Sequence, residues 1–311
     1  MTEGAVAADP QVGSKGAEGP RAEGGGLLLG FVGVAVFSLT LPVTRLAMAD
    51  SDPVVFGLGR SLLAGAVAAA ILLATHQRRP RGGEWRALAI VAAGVIFGFP
   101  LLSAWGMQRV PAAHGGVVLG ILPLATAMAG AFLLRERPSL GFWLVSLAGG
   151  AAVVGFSLLR GGGLGLGQGL GYWALLGSVA CAAIGYAEGA RLSRSLGGWQ
   201  VICWALVLSF PLLLVPVVPA ALAHGLPGSP ESWAAFVYVA LMSQLFGFFA
   251  WYRGLALGGV ARVSQVQLLQ TFLTIAASAL LLGEAIDAMT LGFAVFVVAS
   301  VALGRKMPVR R

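Results

Sequence analysis

Ten apolar stretches, each about 17 to 25 residues long, follow one another along this chain, separated by short segments with charge, glycine or proline. A helix needs roughly 20 apolar residues to cross the hydrocarbon of a bilayer. Only 10% of the side chains are charged and the mean hydropathy is +0.88, whereas soluble domains carry about 25% charge. Because a helix satisfies its own backbone amides in lipid, the sequence predicts an all-α integral membrane protein.

The apolar stretches predict ten transmembrane helices, which we number helix 1 to helix 10 in chain order. Their predicted ranges are 27–48, 53–75, 87–107, 111–134, 140–159, 170–190, 201–222, 233–257, 260–282 and 288–304. The loops between them are too short for a separate soluble domain. Residues 1–26 are rich in glycine and alanine and mix both charges, so we expect a disordered cytoplasmic tail there. Residues 305–311 form a basic tail at the other end.

Arginine and lysine residues concentrate in alternate loops. With both termini inside, sixteen fall on the cytoplasmic side: Lys15, Arg21, Arg78, Arg79, Arg81, Arg86, Arg135, Arg137, Arg191, Arg194, Arg253, Arg262, Arg305, Lys306, Arg310 and Arg311. Three fall on the other side, namely Arg45, Arg109 and Arg160. Because short cytoplasmic loops retain positive charge, the sequence predicts a multi-pass protein of a bacterial cytoplasmic membrane. The basic residues are scattered between apolar stretches, so the net charge of +8 does not indicate a nucleic-acid partner.

The two halves of the chain resemble each other at an offset of 148 residues. Segment 123–136 aligns with segment 271–284, and six of the fourteen positions are identical, including a final Glu136 paired with Glu284. Gly106 pairs with Gly254 at the same offset. Five helices is an odd number, so the second half enters the membrane from the opposite side. The sequence predicts two inverted five-helix repeats, 27–160 and 170–304, joined by a glycine-rich connector at 161–169, an arrangement typical of alternating-access transporters.

These residues resemble the EamA-type transporters of the drug/metabolite transporter superfamily. The resemblance is carried by Pro123 and Glu136 in helix 4, their partners Thr271 and Glu284 in helix 9, Arg60 in helix 2, and the count of ten helices. It implies an exporter or exchanger of amino acids, other metabolites or drugs, with a central cavity lined by helices 1, 3, 4, 6, 8 and 9. Helix 9 departs from the pattern because it has Thr271 where helix 4 has a proline.

Polar side chains within the helices are the candidates for substrate binding, because they are costly in lipid and are retained for function or for packing. On helix 9, polar residues step by three and four positions and share one face. We expect this face to line the cavity; the alternative is that it only joins helices through hydrogen bonds. A second polar patch lies on helix 8. The candidates are Ser264, Gln267, Thr271 and Thr274 on helix 9 and Gln244 on helix 8.

Two tryptophans and three titratable or charged residues each allow two interpretations of their role. Trp105 and Trp251 end helices 3 and 8; they are expected at the headgroups or as a stacking wall for substrate. Glu188 could couple proton movement, or simply pair with Arg191 three residues later. His114 is a proton-relay candidate or a satisfied interfacial histidine. Arg60 must snorkel or find a partner, and we favour a structural role over substrate contact.

An intramembrane enzyme is the competing class of function. The three histidines are scattered and never share a helix, a pattern that does not predict a metal site. The sequence has no G-x-S-x-G nucleophile motif, and we expect no catalytic residues and no cofactor. A non-transporting scaffold or sensor is a third class of function, but that class does not explain the inverted repeat. We therefore expect a carrier of a small molecule, exporting across the bilayer; whether it forms a homodimer is left open.

Overall fold

A computed structural model of the chain describes residues 20–134, 137–161, 168–258, 264–304, 306 and 309–310. Within these ranges eight helices are long and apolar enough to cross a membrane, and two shorter apolar helices at the C-terminal end complete the ten. The predicted all-α membrane fold is confirmed. A short antiparallel pairing joins Arg137–Pro138 to Val309–Arg310, so the loop after helix 4 and the C-terminal tail lie at the same end of the bundle.

Several transmembrane helices are built from more than one helical segment. In chain order the segments are Pro20–Ser38 and Thr40–Ala47 (helix 1), Pro53–Ala74 (helix 2), Glu84–Val91, the π-helical Ala92–Gly98 and Phe99–Met107 (helix 3), Ala112–Leu119 and Leu122–Leu134 (helix 4), Leu140–Gly161 (helix 5), Gln168–Leu196 (helix 6), Gly198–His224 (helix 7), Pro230–Val237, the π-helical Tyr238–Phe246 and Gly247–Gly258 (helix 8), the 3-10 turn Ser264–Leu268 with Leu269–Leu282 (helix 9), and Ala288–Gly304 (helix 10).

The observed ends differ most from the predicted ones, by six or seven residues, at two helices. Helix 1 begins at Pro20, so residues 20–26 are helical although the sequence assigns them to the tail. Proline is favoured in the first turn of a helix, and extending an existing helix costs far less than starting one. Helix 6 continues to Leu196. The rest of the predicted tail, most of the connector and Glu136 lie outside the described residues.

Prolines break the hydrogen-bond ladder at helix 1 and helix 3, and hydroxyl groups from other helices repair it. Pro42 has no N–H to donate to the Ser38 carbonyl four residues earlier, and helix 1 breaks between its two segments. The Thr274 hydroxyl of helix 9 donates to that carbonyl at 2.9 Å. Pro100 likewise leaves the Ile96 carbonyl without its usual donor, and the Ser61 hydroxyl of helix 2 lies 3.5 Å from it.

Helices from the two halves pack against each other in symmetry-related pairs. Helix 1 lies against helix 8 as helix 6 lies against helix 3, and helix 4 lies against helix 6 as helix 9 lies against helix 1. Equivalent helices also meet, namely 2 with 7, 4 with 9 and 5 with 10. The π-helical segments also correspond, because adding 148 to the range 92–98 gives 240–246, which lies within Tyr238–Phe246. Both relationships are those of an inverted repeat, as the sequence predicts.

Glycines allow the closest approaches between the halves. A Cβ atom at Gly106 of helix 3 would lie 3.1 Å from the Gly171 carbonyl oxygen of helix 6. One at Gly254 of helix 8 would lie 2.9 Å from the Gly26 carbonyl oxygen of helix 1. The two glycines that the offset pairs in sequence therefore make the same kind of contact with symmetry-related helices. Such small-residue contacts hold helices together where lipid offers no hydrophobic driving force.

The polar groups at the ends of the helices form two separate networks. At one end of the bundle, Arg78 pairs with Glu84 at 2.8 Å and also donates to the Ser195 carbonyl. At the other end, Arg160 pairs with Asp287, and the Thr290 amide donates to the same carboxylate at 2.7 Å. The first network joins loops 2–3 and 6–7, and the second joins the C-terminal end of helix 5 to the start of helix 10. The loops therefore divide between two opposite ends of the bundle, as expected when successive loops alternate across a membrane.

Candidate functional site

A small cavity lies at the centre of the bundle, where the two halves meet. Its water-accessible volume is about 20 Å³, which is room for about one water molecule. The walls come from six helices: Phe37 and Thr40 (helix 1), Val95 and Phe99 (helix 3), Leu119 and Leu122 (helix 4), Tyr186 (helix 6), Ser243, Gln244 and Phe248 (helix 8), and Gln270 (helix 9). These are the six helices that the family resemblance implies.

One wall of the cavity contains a backbone carbonyl that the local helix geometry leaves free. In the π-helical turn of helix 3 the Phe99 amide donates to the Gly94 carbonyl, so it does not donate to the Val95 carbonyl. The next residue, Pro100, has no N–H at all. The Gln244 side chain of helix 8 donates from Nε2 to the Val95 carbonyl at 3.2 Å. This bond joins the π-helical segments of the two halves, and π turns are frequent at functional sites.

The other polar groups of the wall come mainly from helices 1, 8 and 9. The Ser243 and Thr40 hydroxyls lie 2.8 Å apart and bond helix 8 to helix 1. Gln270 is half-buried and faces the cavity from helix 9. Tyr186 packs edge-on against Phe248, with ring centroids 5.8 Å apart. The cavity thus offers amide, hydroxyl and carbonyl groups beside aromatic surface, which suits a small molecule with both polar and apolar parts.

The threonines of the polar face predicted on helix 9 pack against neighbouring helices, and none of the described candidates on that face lines the central cavity. Thr274 and Thr271 are buried and lie against helix 4, where a Cβ at Gly116 would come within 3.0 Å of Thr274 and one at Gly120 within 2.8 Å of Thr271. Gln267 is half-buried and is not among the residues that line the cavity. The prediction assumed a regular α-helix, but the tighter 3-10 turn before Leu269 rotates the earlier residues.

The two tryptophans lie apart from the central cavity. Ser264 begins the 3-10 turn, and its side chain is outside the described part of the chain. Trp105 stacks beneath the Arg109 guanidinium, 3.8 Å from ring centroid to Cζ, and lines a separate surface groove with Gln108 and neighbours from helix 2. Trp251 is buried, and its backbone and Cβ face Gly33 of helix 1. Both tryptophans therefore contribute to contacts away from the cavity wall.

The two candidates for proton coupling each have a hydrogen-bond partner. Glu188 is buried and accepts from Arg191 Nε at 3.0 Å, with a second bond from Nη2. That arrangement matches the ion-pair alternative for this residue. His114 Nδ1 lies 2.6 Å from the Tyr172 hydroxyl, near the end of the bundle that carries Arg160 and Asp287. Glu188 is therefore paired within helix 6, whereas His114 bonds helix 4 to helix 6, and neither residue lines the central cavity.

Arg60 of helix 2 neither reaches the membrane surface nor finds a described partner for its Nε and Nη2 atoms. Its side chain is only 1% exposed, so the guanidinium does not snorkel to the surface. Its Nε and Nη2 atoms have no hydrogen-bond partner among the described residues. The Tyr186 phenol, a residue of the cavity wall, lies nearby but is uncharged at neutral pH and is not a counter-ion.

Two loop carboxylates at the Arg160 end of the bundle are strongly held in their ionised form. Hydrogen bonds from Ser232 and Ser229 lower the pKa of Asp50 below its ordinary value. The Thr290 amide and hydroxyl, together with Arg160, hold the pKa of Asp287 far below its ordinary value of 3.8. Both carboxylates join segments from different halves, so their charge contributes to closing this end of the bundle.

The sequence reasoning gave too little weight to two groups at the site. Gln270 is not among the candidates predicted on helix 9, yet it lines the cavity. The free Val95 carbonyl carries no side-chain signal, because in a regular α-helix Pro100 would mark the Ile96 carbonyl instead.

Comparison with known proteins decides which family this arrangement belongs to. The sequence profile of the EamA-like transporter family matches residues 24–158 and again 169–304. The chain belongs to the EamA-like transporter family. The match to both halves agrees with the inverted repeat in the structure, and family membership makes the protein a membrane transporter in the broad sense.

Two named relatives and one solved structure are similar to this EamA-like transporter. The chain is 43% identical over 289 residues to a Bacillus subtilis (strain 168) protein named "Uncharacterized transporter YdeK", covering 90% of this chain and 97% of that protein. It is 26% identical over 237 residues to "Protein PecM" of Dickeya dadantii (strain 3937), covering 72% and 73% of the two chains. A solved crystal structure matches with a TM-score of 0.61 at 20% identity, over 90% of this chain and 97% of that one, a likeness of fold.

Proposed function

We propose that this EamA-like transporter carries a small metabolite or drug outward across a bacterial cytoplasmic membrane by alternating access. The observation that carries the proposal is the central cavity, whose wall draws on both halves and on six helices. In this state it holds about one water molecule, so the bundle is closed around its centre. Two related halves can exchange inward-open and outward-open shapes around such a site at similar energy.

Gln244 and Gln270 are the proposed hydrogen-bonding groups for the substrate, supported by Ser243 and Thr40. Gln244 now donates to the Val95 carbonyl, so a substrate that enters can take over either member of that pair. Exchanging one hydrogen bond for another costs little, whereas leaving either group unpaired in the membrane is costly. We propose Thr271 and Thr274 as groups that hold helix 9 against helices 4 and 1, and Gln267 as a peripheral residue.

The proposed orientation places both termini in the cytoplasm. The end of the bundle that carries Arg78, Glu84 and Ser195 would then face inward, and the end with Asp50 and Asp287 would face outward. The positive-inside distribution of arginine and lysine supports this assignment. Outward opening would require the Arg160 to Asp287 ion pair to separate, because it joins the two halves at that end.

Transport of labelled compounds into proteoliposomes tests the proposal. A panel of amino acids, sugars and cationic drugs is offered to the purified protein, and counterflow of at least one compound is expected. Gln244→Ala should lower that flux about tenfold, the effect of one lost hydrogen bond in the membrane. Gln267→Ala is the matched control, since it removes the same amide from a neighbouring helix away from the cavity wall. Equal fluxes in the two variants would contradict the proposed site.

Proton coupling is proposed to involve Glu188 or His114, and a separate variant tests each. With a pH difference across the liposome membrane, Glu188→Gln or His114→Gln should abolish accumulation of substrate against its gradient while leaving counterflow intact. A variant that still concentrates substrate shows that its residue does not carry the proton.

A further inference from the structure

The Arg60 guanidinium is a buried cation in the middle of the membrane with hydrogen-bonding capacity to spare. It lies seven residues into helix 2, or about 10 Å from the start of that helix. Its side chain is 1% exposed, and Nε and Nη2 are unpartnered within the described part of the chain. Arginine stays protonated in proteins, so the charge cannot be removed by releasing a proton. A lone charge in such a place is costly.

The segment of helix 2 that carries Arg60 packs against helices that form the cavity wall. The next residue, Ser61, places its hydroxyl 3.5 Å from the Ile96 carbonyl, beside Val95 in the π-helical turn of helix 3. Helix 2 also packs on the π-helical segment of helix 8. The Tyr186 phenol, which is uncharged at neutral pH, lies near the Arg60 guanidinium, and Tyr186 is itself a wall residue.

The one acidic side chain within the predicted apolar stretches already has a partner. Glu188 is the one acidic side chain within a predicted apolar stretch of the sequence, and it is bonded twice to Arg191. The remaining polar groups of the cavity wall, such as Gln244 and Gln270, are neutral. The centre of the bundle therefore has one uncompensated positive charge and no described carboxylate to match it.

We propose that Arg60 binds the carboxylate group of the transported molecule, an assignment that rests on the proposed transport function. The planar guanidinium offers parallel N–H donors that match a carboxylate, and Nε and Nη2 are the two edge nitrogens of that fork. A phosphate monoester carries close to two negative charges, whereas the site supplies one positive charge. Entry of the carboxylate requires the closed cavity to widen, with Tyr186 and the wall of helix 3 moving aside.

Matched pairs of compounds test this assignment on the purified, full-length protein in detergent. The probes are benzoate with benzamide, phenylacetate with phenylacetamide, and phenyl phosphate. Binding is followed by the concentration dependence of the melting temperature. In the unaltered protein at least one carboxylate should bind about tenfold or more tightly than its amide, because charge-assisted hydrogen bonds are roughly twice as strong as neutral ones.

Two arginine variants separate the specific effect from a general change of charge. Arg60→Gln should erase the preference for carboxylate, whereas Arg109→Gln, which removes an arginine stacked on Trp105 at the end of helix 3, should keep it. If Arg60→Gln does not fold, Arg60→Lys keeps the charge without the fork and should retain only part of the preference. Equal binding of every carboxylate and its amide by the unaltered protein overturns the assignment. So does a preference that survives Arg60→Gln, or tighter binding of phenyl phosphate than of any carboxylate.

Flux measurements in liposomes distinguish this inference from the transport proposal. A protein that transports the amides but neither binds nor transports the carboxylates would remain a transporter, and the role of Arg60 in binding would be wrong. A protein that binds carboxylates through Arg60 but transports none of the compounds would keep the binding site and lose the transport function.

Discussion

Helices 3 and 8 occupy equivalent places in the two halves and share a π-helical centre, yet they bring different chemistry to the cavity. Helix 3 contributes backbone, because the combination of its π turn with Pro100 frees the Val95 carbonyl. Helix 8 contributes side chains, the Ser243 hydroxyl and the Gln244 amide. At the offset of 148, Gln244 corresponds to Ile96, which is buried and apolar.

The same difference recurs wherever the halves are compared. Gly116 and Gly120 of helix 4 provide space, whereas helix 9 fills that space with Thr274 and Thr271. The scaffold is therefore close to symmetric, and the hydrogen-bonding groups are concentrated in the second half. A symmetric scaffold lets the two open states have similar energy, while an asymmetric wall lets the site recognise one face of a substrate.

The largest effect is expected at Gly94, a position where helix 3 packs closely but the equivalent position of helix 8 does not. A Cβ at Gly94 would lie 2.3 Å from the Cys181 carbonyl oxygen, so Gly94→Ala should force helices 3 and 6 apart and cost about 3 kcal/mol or more. Its equivalent in helix 8 is Met242, which is 39% exposed. Met242→Ala should change stability by only about 0.5 kcal/mol. Thermal unfolding in detergent measures both, and similar losses would show that the two helices pack alike.

A smaller effect is expected from the two equivalent threonines of helices 9 and 4. Thr274→Val removes the donor to the Ser38 carbonyl that Pro42 leaves free, which should cost about 1 kcal/mol. Thr126, its counterpart, has a buried hydroxyl with no partner among the residues described. Thr126→Val should therefore be neutral or slightly stabilising. A loss at Thr126 equal to that at Thr274 would contradict this distinction between the halves.

The smallest effect is expected at the caps of helices 5 and 10. Ser139 and Asp287 are equivalent positions, and each accepts the amide three residues later, at 3.3 Å from Phe142 and 2.7 Å from Thr290. Only Asp287 adds a charge, and its folded-state pKa lies below the ordinary 3.8. Its contribution to stability is therefore present above about pH 4 and is lost as the pH falls towards the folded-state pKa.

Asp287→Ser keeps a cap and removes that pH dependence. Between pH 5 and pH 3 the melting temperature of the unaltered protein should fall more than that of the variant. The difference should correspond to less than about 1 kcal/mol, because the pair is partly exposed to solvent. Identical pH profiles would show that the Arg160 to Asp287 pair adds nothing to the closed end of the bundle.

The fold follows from the sequence because length, hydropathy and the repeat each depend on local composition. Ten apolar stretches predict the number of helices, and Gly106 and Gly254, which the offset pairs in sequence, make equivalent contacts in the structure. Helix 10 has the predicted limits, 288–304. Helix 1 starts earlier than predicted because its first residues extend an existing helix rather than folding alone.

The details of the cavity follow less directly, because they depend on backbone geometry set by tertiary contacts. The 3-10 turn before Leu269 changes which glutamine faces the centre, and a regular helical wheel cannot include it. The free Val95 carbonyl arises from a π turn that no side-chain pattern in the sequence predicts. The pairing of Glu188 with Arg191 is one of the two alternatives that sequence spacing leaves open, and no sequence pattern shows that Nε and Nη2 of Arg60 lack a partner among the described residues.

Accessibility of single cysteines in whole cells tests most directly that the two halves are inverted. In a background with Cys181 and Cys203 replaced by alanine, cysteine is placed at Ala49, Arg79, Arg194 or Ala285, all exposed in loops or at helix ends. A membrane-impermeant maleimide should label positions 49 and 285 in intact cells, and positions 79 and 194 only after permeabilisation. Labelling of 49 and 194 from the same side would contradict the inverted repeat, and with it the proposed carrier.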